Sequence, residues 1–167
     1  MSMLLRTLAL LSLLLSGAIF GFFYAWVCST MWGLDNASPS VAIASMKAMN
    51  ASVRNTVFAP AFFGTPFVLF VTAALAARCR HSKAALLFAL GGLIYLFGGI
   101  LLTISVNVPM NEALALVAIP TDEAAAASIW KIYSATWQKW NVARTIASAL
   151  TLLLTGVALQ NLNRTTP

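Results

Sequence analysis

The chain has 167 residues, of which 60% are hydrophobic and only 8% are charged. A soluble domain of this length needs charged faces on its helices, so this composition excludes an ordinary soluble fold. The net charge of +6 does not indicate nucleic-acid binding, because the basic residues stand at the ends of apolar runs and do not cluster on one solvated face.

Four long stretches contain no Asp, Glu, Lys or Arg: residues 7–34, 55–77, 84–111 and 145–163. Each approaches or exceeds the roughly 20 residues that cross the hydrocarbon core of a bilayer. We therefore predict an all-α, four-transmembrane-helix bundle, with spans at residues 7–32, 55–77, 84–110 and 142–162. These spans use most of the chain, so residues 1–167 are predicted to form a single integral membrane domain without an extramembrane catalytic module.

The first apolar run has two interpretations. Arg6 precedes it and the Ser-Gly-Ala sequence at residues 16–18 resembles a cleavage site, so a cleaved signal peptide is the alternative. The run continues to Val27, however, which is longer than the apolar region of a usual signal peptide. We therefore favour an uncleaved first span.

Two segments outside the spans carry helical patterns. Residues 38–55 contain Pro39 near their start and enough apolar residues for one face, which predicts an extra amphipathic helix on the outer side. Asp122 and Glu123 supply a capping residue and an early acid, so the last helix should begin near Asp122, run unbroken into the bilayer and protrude from it. Pro109 should kink the third span or free a carbonyl group.

Glycines predict close helix contacts in two spans. Gly17 and Gly21 have the spacing of a small-xxx-small pair in the first span, and the third span contains Gly91, Gly92, Gly98 and Gly99. We expect helix packing, and no chemistry, at these positions.

Basic residues near the span ends predict the orientation, since Lys and Arg accumulate in cytoplasmic loops. The basic residues divide equally: one side receives Arg6, Arg78, Arg80, Lys83 and Arg164, and the other receives Lys47, Arg54, Lys131, Lys139 and Arg144 with all four acids. The prediction therefore rests on the tight cluster around the short loop at residues 78–83. Both termini are predicted to be cytoplasmic, in a plasma or inner membrane, with the two cysteines on opposite sides.

Polar and aromatic side chains converge near the outer end of the predicted bundle. Thr103, Asn107 and Asn111 are spaced four residues apart and share one face of the third span. A polar side chain in lipid is costly unless it faces a partner or a cavity, so this stripe should point inward. The last helix carries a seam of four aromatic residues followed by an arginine, at steps of three and four residues: Trp130, Tyr133, Trp137, Trp140 and Arg144. Asn141 lies beside this seam.

The first and second spans also place polar and aromatic residues near the outer end of the predicted bundle. Tyr24 and Cys28 lie near the outer end of the first span, and Asn55 and Phe58 open the second. We predict a cavity walled by aromatic rings and floored by amides, suited to a flat, mostly apolar molecule with a few oxygens. The alternative is that the aromatic residues are packing residues or an interfacial belt.

Arg144 stands at the lip of an uncharged run and needs a carboxylate or carbonyl partner. Glu112 is the acid nearest the polar stripe, so we predict that it pairs with Arg144, either as a stabilising surface ion pair or within a binding site. Histidine and carboxylate clusters are lacking in the sequence, which predicts no metal site. Cysteine and methionine side chains that could act as soft ligands are interpreted as core residues: Cys28, Met31, Met46 and Met49.

The same positions resemble a known family. The residues that carry the resemblance are Asn50 to Asn55 with Phe58, the segment Thr103 to Asn111, and Trp130, Trp137, Trp140, Asn141, Arg144 and Thr145. Together they are similar to the pattern of domain of unknown function 1772, the anthrone oxygenase-like family. This resemblance implies a four-span membrane protein. For some fungal members it implies oxidation of an anthrone to an anthraquinone by molecular oxygen, without an organic cofactor or metal.

Two functions follow as hypotheses. An oxygenase needs a base and an oxyanion site: we predict Glu112 as the base, with Tyr24 or Tyr133 as weaker options, and Asn107, Asn111 and Arg144 as oxyanion donors. The predicted substrate-binding residues are Tyr24, Asn55, Phe58, Trp130, Tyr133, Trp137, Trp140 and Asn141.

The alternative is a non-catalytic membrane protein that binds a lipid-like or quinone ligand or scaffolds a protein partner. Transport is a third, weaker option, because charges at the bilayer midplane are lacking.

Overall fold

The computed structural model describes residues 2–163, and Arg164, used above for orientation, lies outside them. Five helices follow one another: α1 Met3–Asp35, α2 Pro39–Ser52, α3 Phe58–Arg78, α4 Ser82–Leu116 and α5 Glu123–Asn163. The described part of the chain contains no strand. The predicted all-α fold is confirmed, with the extra helix (α2) and a last helix (α5) of 41 residues.

Within the described residues, α1, α3, α4 and α5 are the helices long and apolar enough to cross a membrane. Only 28–39% of the residues in their apolar stretches are buried inside the bundle. Large side chains such as Leu14, Phe67 and Leu153 instead point outward and are more than 60% exposed. Apolar surface on this scale is unfavourable in water, so the helices are compatible with a multi-pass integral membrane protein.

The four long helices form an antiparallel bundle in which α1 and α4 each pack between α3 and α5. Its core has three clusters along the bundle axis. Leu5 and Leu162 belong to the cluster at the end that holds the first turn of α1 and the α3–α4 hairpin, here called the hairpin end. Tyr95 lies in the middle cluster. Met46 and Trp130 lie at the opposite end, here called the cavity end, where α2 packs against α1, α4 and α5.

Glycine allows close contact between α4 and α5. A Cβ atom added to Gly98 would come within 2.6 Å of the Ala147 Cβ atom. The predicted packing role is therefore confirmed at Gly98. It is wrong for Gly21, since a Cβ atom there would meet no atom of the described part of the chain within 4 Å.

The start of α5 follows the predicted cap. The carboxylate of Asp122 accepts hydrogen bonds from the backbone N–H groups of Ala124, at 3.3 Å, and Ala125, at 3.1 Å. These bonds satisfy donors that have no partner within the helix and favour an acid at this end. The helix then continues without a break from Glu123 into its apolar half, so the predicted long helix is confirmed.

Both α1 and α4 contain wide, π-helical turns toward the cavity end. In α1 the turn comprises Trp26–Thr30, and in α4 two such segments, Leu96–Leu101 and Thr103–Asn107, precede Pro109. The helix α4 continues through Pro109 to Leu116. Wide turns of this kind are rare in proteins and often occur at functional sites.

Candidate functional site

A cavity of about 660 Å³ lies at the cavity end of the bundle. This volume is within the range of small-molecule sites. All five helices and the segment 53–57, which links α2 to α3, contribute to its walls. The aromatic residues that line it are Phe22, Phe23, Trp26, Phe58, Phe62, Phe63 and Trp137. The longer polar side chains in its lining are Asn50, Arg54, Asn55, Asn111, Glu112 and Arg144.

Arg144 lines this cavity although it is only 5% exposed. Its Nη1 donates to Thr103 Oγ1 at 3.3 Å and its Nη2 to Asn141 Oδ1 at 2.9 Å. The guanidinium carbon lies 4.7 Å from the ring centre of Phe23 and 5.1 Å from that of Trp137. The positive charge is therefore held by ring faces and neutral oxygens. Such a desolvated cation favours an anionic or electron-rich oxygen in the cavity.

Two buried asparagines of the predicted site lie outside the cavity lining. Asn141 accepts from Arg144 and donates through Nδ2 to the backbone oxygen of Phe23 at 3.1 Å, which ties α5 to α1. Asn107 is fully buried one helical turn from Thr103, and neither amide atom has a partner among the described residues. Arg144 Nε is also without a partner there. The polar centre of the bundle therefore keeps unused hydrogen-bonding capacity next to the cavity.

Asn111 presents a fixed donor group to the cavity. Its Oδ1 accepts from the hydroxyl of Tyr133 at 2.8 Å and from Nε1 of Trp137 at 3.0 Å. These two bonds orient the amide, so its N–H donors remain for a ligand. Tyr133 also accepts from Asn50 Nδ2 at 3.3 Å and supports the wall from behind without lining the cavity.

The predicted pairing of Glu112 with Arg144 is wrong. Glu112 Oε1 lies 3.3 Å from Nη2 of Arg54, and both side chains are about 60% exposed. Arg54 reaches Glu112 because it follows directly after α2, which packs against the end of α4, an arrangement that sequence spacing does not reveal. Both residues line the cavity, so the ion pair forms its exposed rim.

Asn55 and Phe58 also line the cavity, where segment 53–57 turns into α3. Asn55 Oδ1 accepts from the backbone N–H groups of Val57 and Phe58, both at 2.9 Å, and so caps the helix start. The ring of Phe58 then lies with its centre 4.7 Å from that of Phe22 and 5.2 Å from that of Phe62. This aromatic group closes the α1–α3 side of the cavity.

Several predicted site residues lie away from the cavity lining. Tyr24 is 49% exposed and stacks on Phe20 outside the bundle. Trp140 is 40% exposed, so the buried seam of α5 continues from Trp137 through Asn141, contrary to the predicted seam. His81, the histidine of the sequence, lies in the hairpin between α3 and α4, at the opposite end of the bundle from the cavity.

Trp130 has a structural contact that involves a residue the sequence analysis did not single out. Asp35, at the end of α1, accepts from Trp130 Nε1 at 2.9 Å, Ser134 Oγ at 2.7 Å and Gln138 Nε2 at 2.8 Å. We call these four residues the Asp35 clamp. A lone acid directly after a long uncharged run is the signal that could have indicated it. The clamp fixes α1 against α5 and so holds the walls that carry Trp26 and Trp137.

Comparison with known proteins identifies the family. A family model described as anthrone oxygenase matches residues 52–154, which include the cavity residues of α3, α4 and α5. No curated protein and no solved structure matches the chain. The match covers more than half of the sequence and agrees with the resemblance carried by the motif residues, so the chain belongs to the anthrone oxygenase family, also called DUF1772.

Proposed function

We propose that the cavity binds a flat, mostly apolar phenolic molecule of the anthrone class and that the protein oxidises it with molecular oxygen without a cofactor. One observation carries the proposal: the buried guanidinium of Arg144 opens on an aromatic cavity without a carboxylate partner among the described residues. An enolate oxygen would supply the missing negative charge, and the rings of Phe23 and Trp137 would hold the aromatic plane.

In the proposed reaction the base lies at the exposed rim of the cavity, and the groups that stabilise the oxyanion line its interior. Glu112 takes a proton from the CH₂ group between the aromatic rings, and the resulting enolate oxygen is stabilised by Arg144 and Asn111. The electron-rich carbon then bonds to O₂, and loss of water from the peroxide gives the quinone. One anthrone and one O₂ yield one anthraquinone and one water, so the substrate supplies all the electrons.

A second candidate function is binding without catalysis, and one observation favours it. Glu112, the acid that lines the cavity, is 59% exposed and paired with Arg54. A carboxylate in this position is solvated by water and held in an ion pair with Arg54, which is unfavourable for abstracting a proton from carbon. In this alternative the cavity holds a quinone or a lipid-like molecule through Arg144 and the aromatic rings.

The first prediction separates these functions with purified protein, by recording O₂ uptake and anthrone consumption. Arg144→Met should lower turnover by about 100-fold, as expected for loss of an oxyanion donor, while Arg144→Lys should retain part of it. Lys131→Met is the matched control, since it removes an exposed charge on α5 outside the cavity. The Glu112→Gln variant should abolish turnover in the same assay and leave quinone binding nearly unchanged.

One outcome would favour the second candidate function. Quinone binding by a wild-type protein that consumes no O₂ would support binding without catalysis.

A further inference from the structure

A second cavity, of about 490 Å³, adjoins the first between α1 and α3. The residues that line the second cavity alone are mostly apolar: Ala18 and Ile19 of α1, Ser52 at the end of α2, Val57 before α3 and Ala61 of α3. Six residues line both cavities: Phe22, Trp26, Met49, Val53, Asn55 and Phe58. The two spaces are thus separated by a thin partition, in which the rings of Phe22 and Phe58 lie 4.7 Å apart.

The depth of the second cavity indicates what lies outside it. Ala18 and Ile19 stand near the middle of the uncharged stretch 7–34, and α1 rises about 1.5 Å per residue. If α1 spans the bilayer, both residues lie about 20 Å from either end of the stretch. At this depth the exposed Ala18 meets lipid chains, whereas Ile19 is buried. Ala61 faces the same space from the uncharged stretch 55–77. The Ala18 side of the cavity therefore meets hydrocarbon, while Ser52 and Val57 line its other side, between α2 and α3.

We infer that the second cavity is a lateral entrance through which a membrane-dissolved aromatic ligand reaches the first cavity, with Phe22 and Phe58 as the gate. This inference rests on the proposed function, since it takes the same ligand. An apolar, flat molecule partitions into the bilayer and approaches the protein there. Rotation of two aromatic side chains opens the partition without breaking a backbone hydrogen bond.

The rival route lies between α3 and α4. Phe63 and Ile104 line the first cavity there and are 55% and 50% exposed. On that side two bulky side chains occupy the gap, whereas between α1 and α3 the small side chains of Ala18 and Ala61 border open space. Two bulky side chains block each route, but only the α1–α3 route leads to the first cavity from a second one that is already open.

The test measures the rate of ligand uptake in phosphatidylcholine vesicles that contain the reconstituted protein. The probe is 1,8-dihydroxyanthraquinone, and stopped-flow quenching of tryptophan fluorescence reports its arrival, since Trp137 lines the first cavity and not the second. Ala18→Phe and Ala61→Phe fill the second cavity from opposite walls. Each should slow association about tenfold while the Kd changes less than threefold, because a blocked path slows binding and release alike.

Two further variants make the result decisive. Ala74→Phe adds the same bulk at an exposed position of α3 away from both cavities and should leave the rate unchanged. Ile104→Phe tests the rival route. Unchanged association in Ala18→Phe and Ala61→Phe, or slow association in Ile104→Phe alone, would overturn the lateral entrance but not the ligand. A wild-type protein that shows no quenching would overturn the proposed function and the entrance together.

Discussion

Arg144 is held inside the bundle by stacking and by neutral oxygens, in place of an ion pair. The rings of Phe23 and Trp137 flank its guanidinium, and Asn141 and Thr103 take two of its N–H donors. A neighbouring carboxylate would neutralise the cation and weaken its attraction for a ligand anion. The structure therefore keeps the electrostatic attraction of Arg144 available to the cavity.

Loss of the Asp35 side chain should cost stability, because its carboxylate accepts hydrogen bonds from three side chains of α5. We predict that Asp35→Ala lowers the free energy of unfolding by about 1–3 kcal/mol, because Trp130 and Ser134 are buried donors that would lose their acceptor. Thermal unfolding in detergent measures the change. Ser38→Ala is the control, since the Ser38 side chain makes no capping bond. Equal midpoints for the two variants would contradict a stabilising clamp.

The residues that could be predicted from the sequence are those whose neighbours lie on the same helix. The inward stripe of Thr103 and Asn111 needed only the spacing of one helix. Trp140 and Asn141 could not be separated in this way, because the exposed and buried sides of a long helix differ by a single residue there. The partner of Glu112 depended on the path of segment 53–57, which no periodicity describes.

At the scale of the helices, composition and capping residues were sufficient to predict how many long helices there are and where two of the helices begin. Uncharged runs predicted four long helices, Pro39 predicted the start of α2, and Asp122 predicted the start of α5. The wide turns in α1 and α4 could not be predicted, since no periodicity or capping residue in the sequence marks them. The cavity stands next to these irregular turns.

The contact between α4 and α5 gives a prediction for helix packing. Gly98→Ala should destabilise the protein by about 1–3 kcal/mol, because the added methyl group overlaps with Ala147 across a close helix contact. Gly156→Ala is the matched control on α5: no atom of residues 2–163 lies within 4 Å of its added Cβ atom, and alanine favours a helix by up to about 1 kcal/mol. Thermal midpoints in detergent should therefore shift in opposite directions. A Gly98→Ala protein as stable as the wild type would show that α4 and α5 can separate at little cost.

At the scale of the whole molecule, the two ends of the bundle differ in chemistry. The hairpin end carries Arg78, Arg80 and Lys83 around a short turn, while the cavity end carries α2, the Arg54–Glu112 rim and the Asp35 clamp. The sequence prediction placed the hairpin in the cytoplasm by its basic residues. In that orientation the cavity opens toward the outer leaflet.

Cysteine labelling tests this orientation. Cys79 lies in the hairpin, and Ser38→Cys places a thiol before α2 at the other end. With the remaining native cysteines replaced by alanine, a membrane-impermeant maleimide should label Ser38→Cys on intact cells and Cys79 only after permeabilisation. The reverse pattern would place the cavity on the cytoplasmic side.

The wide turn in α1 has a consequence for the register of its two halves. Phe23 and Met31 are both 1% exposed, yet they are eight residues apart, which in a regular α-helix is about 80° beyond two full turns. Seven residues would bring the two side chains nearly into line without any irregularity. The Trp26–Thr30 turn thus accommodates one surplus residue, so that Phe23 can stack on Arg144 while Asp35 still meets α5.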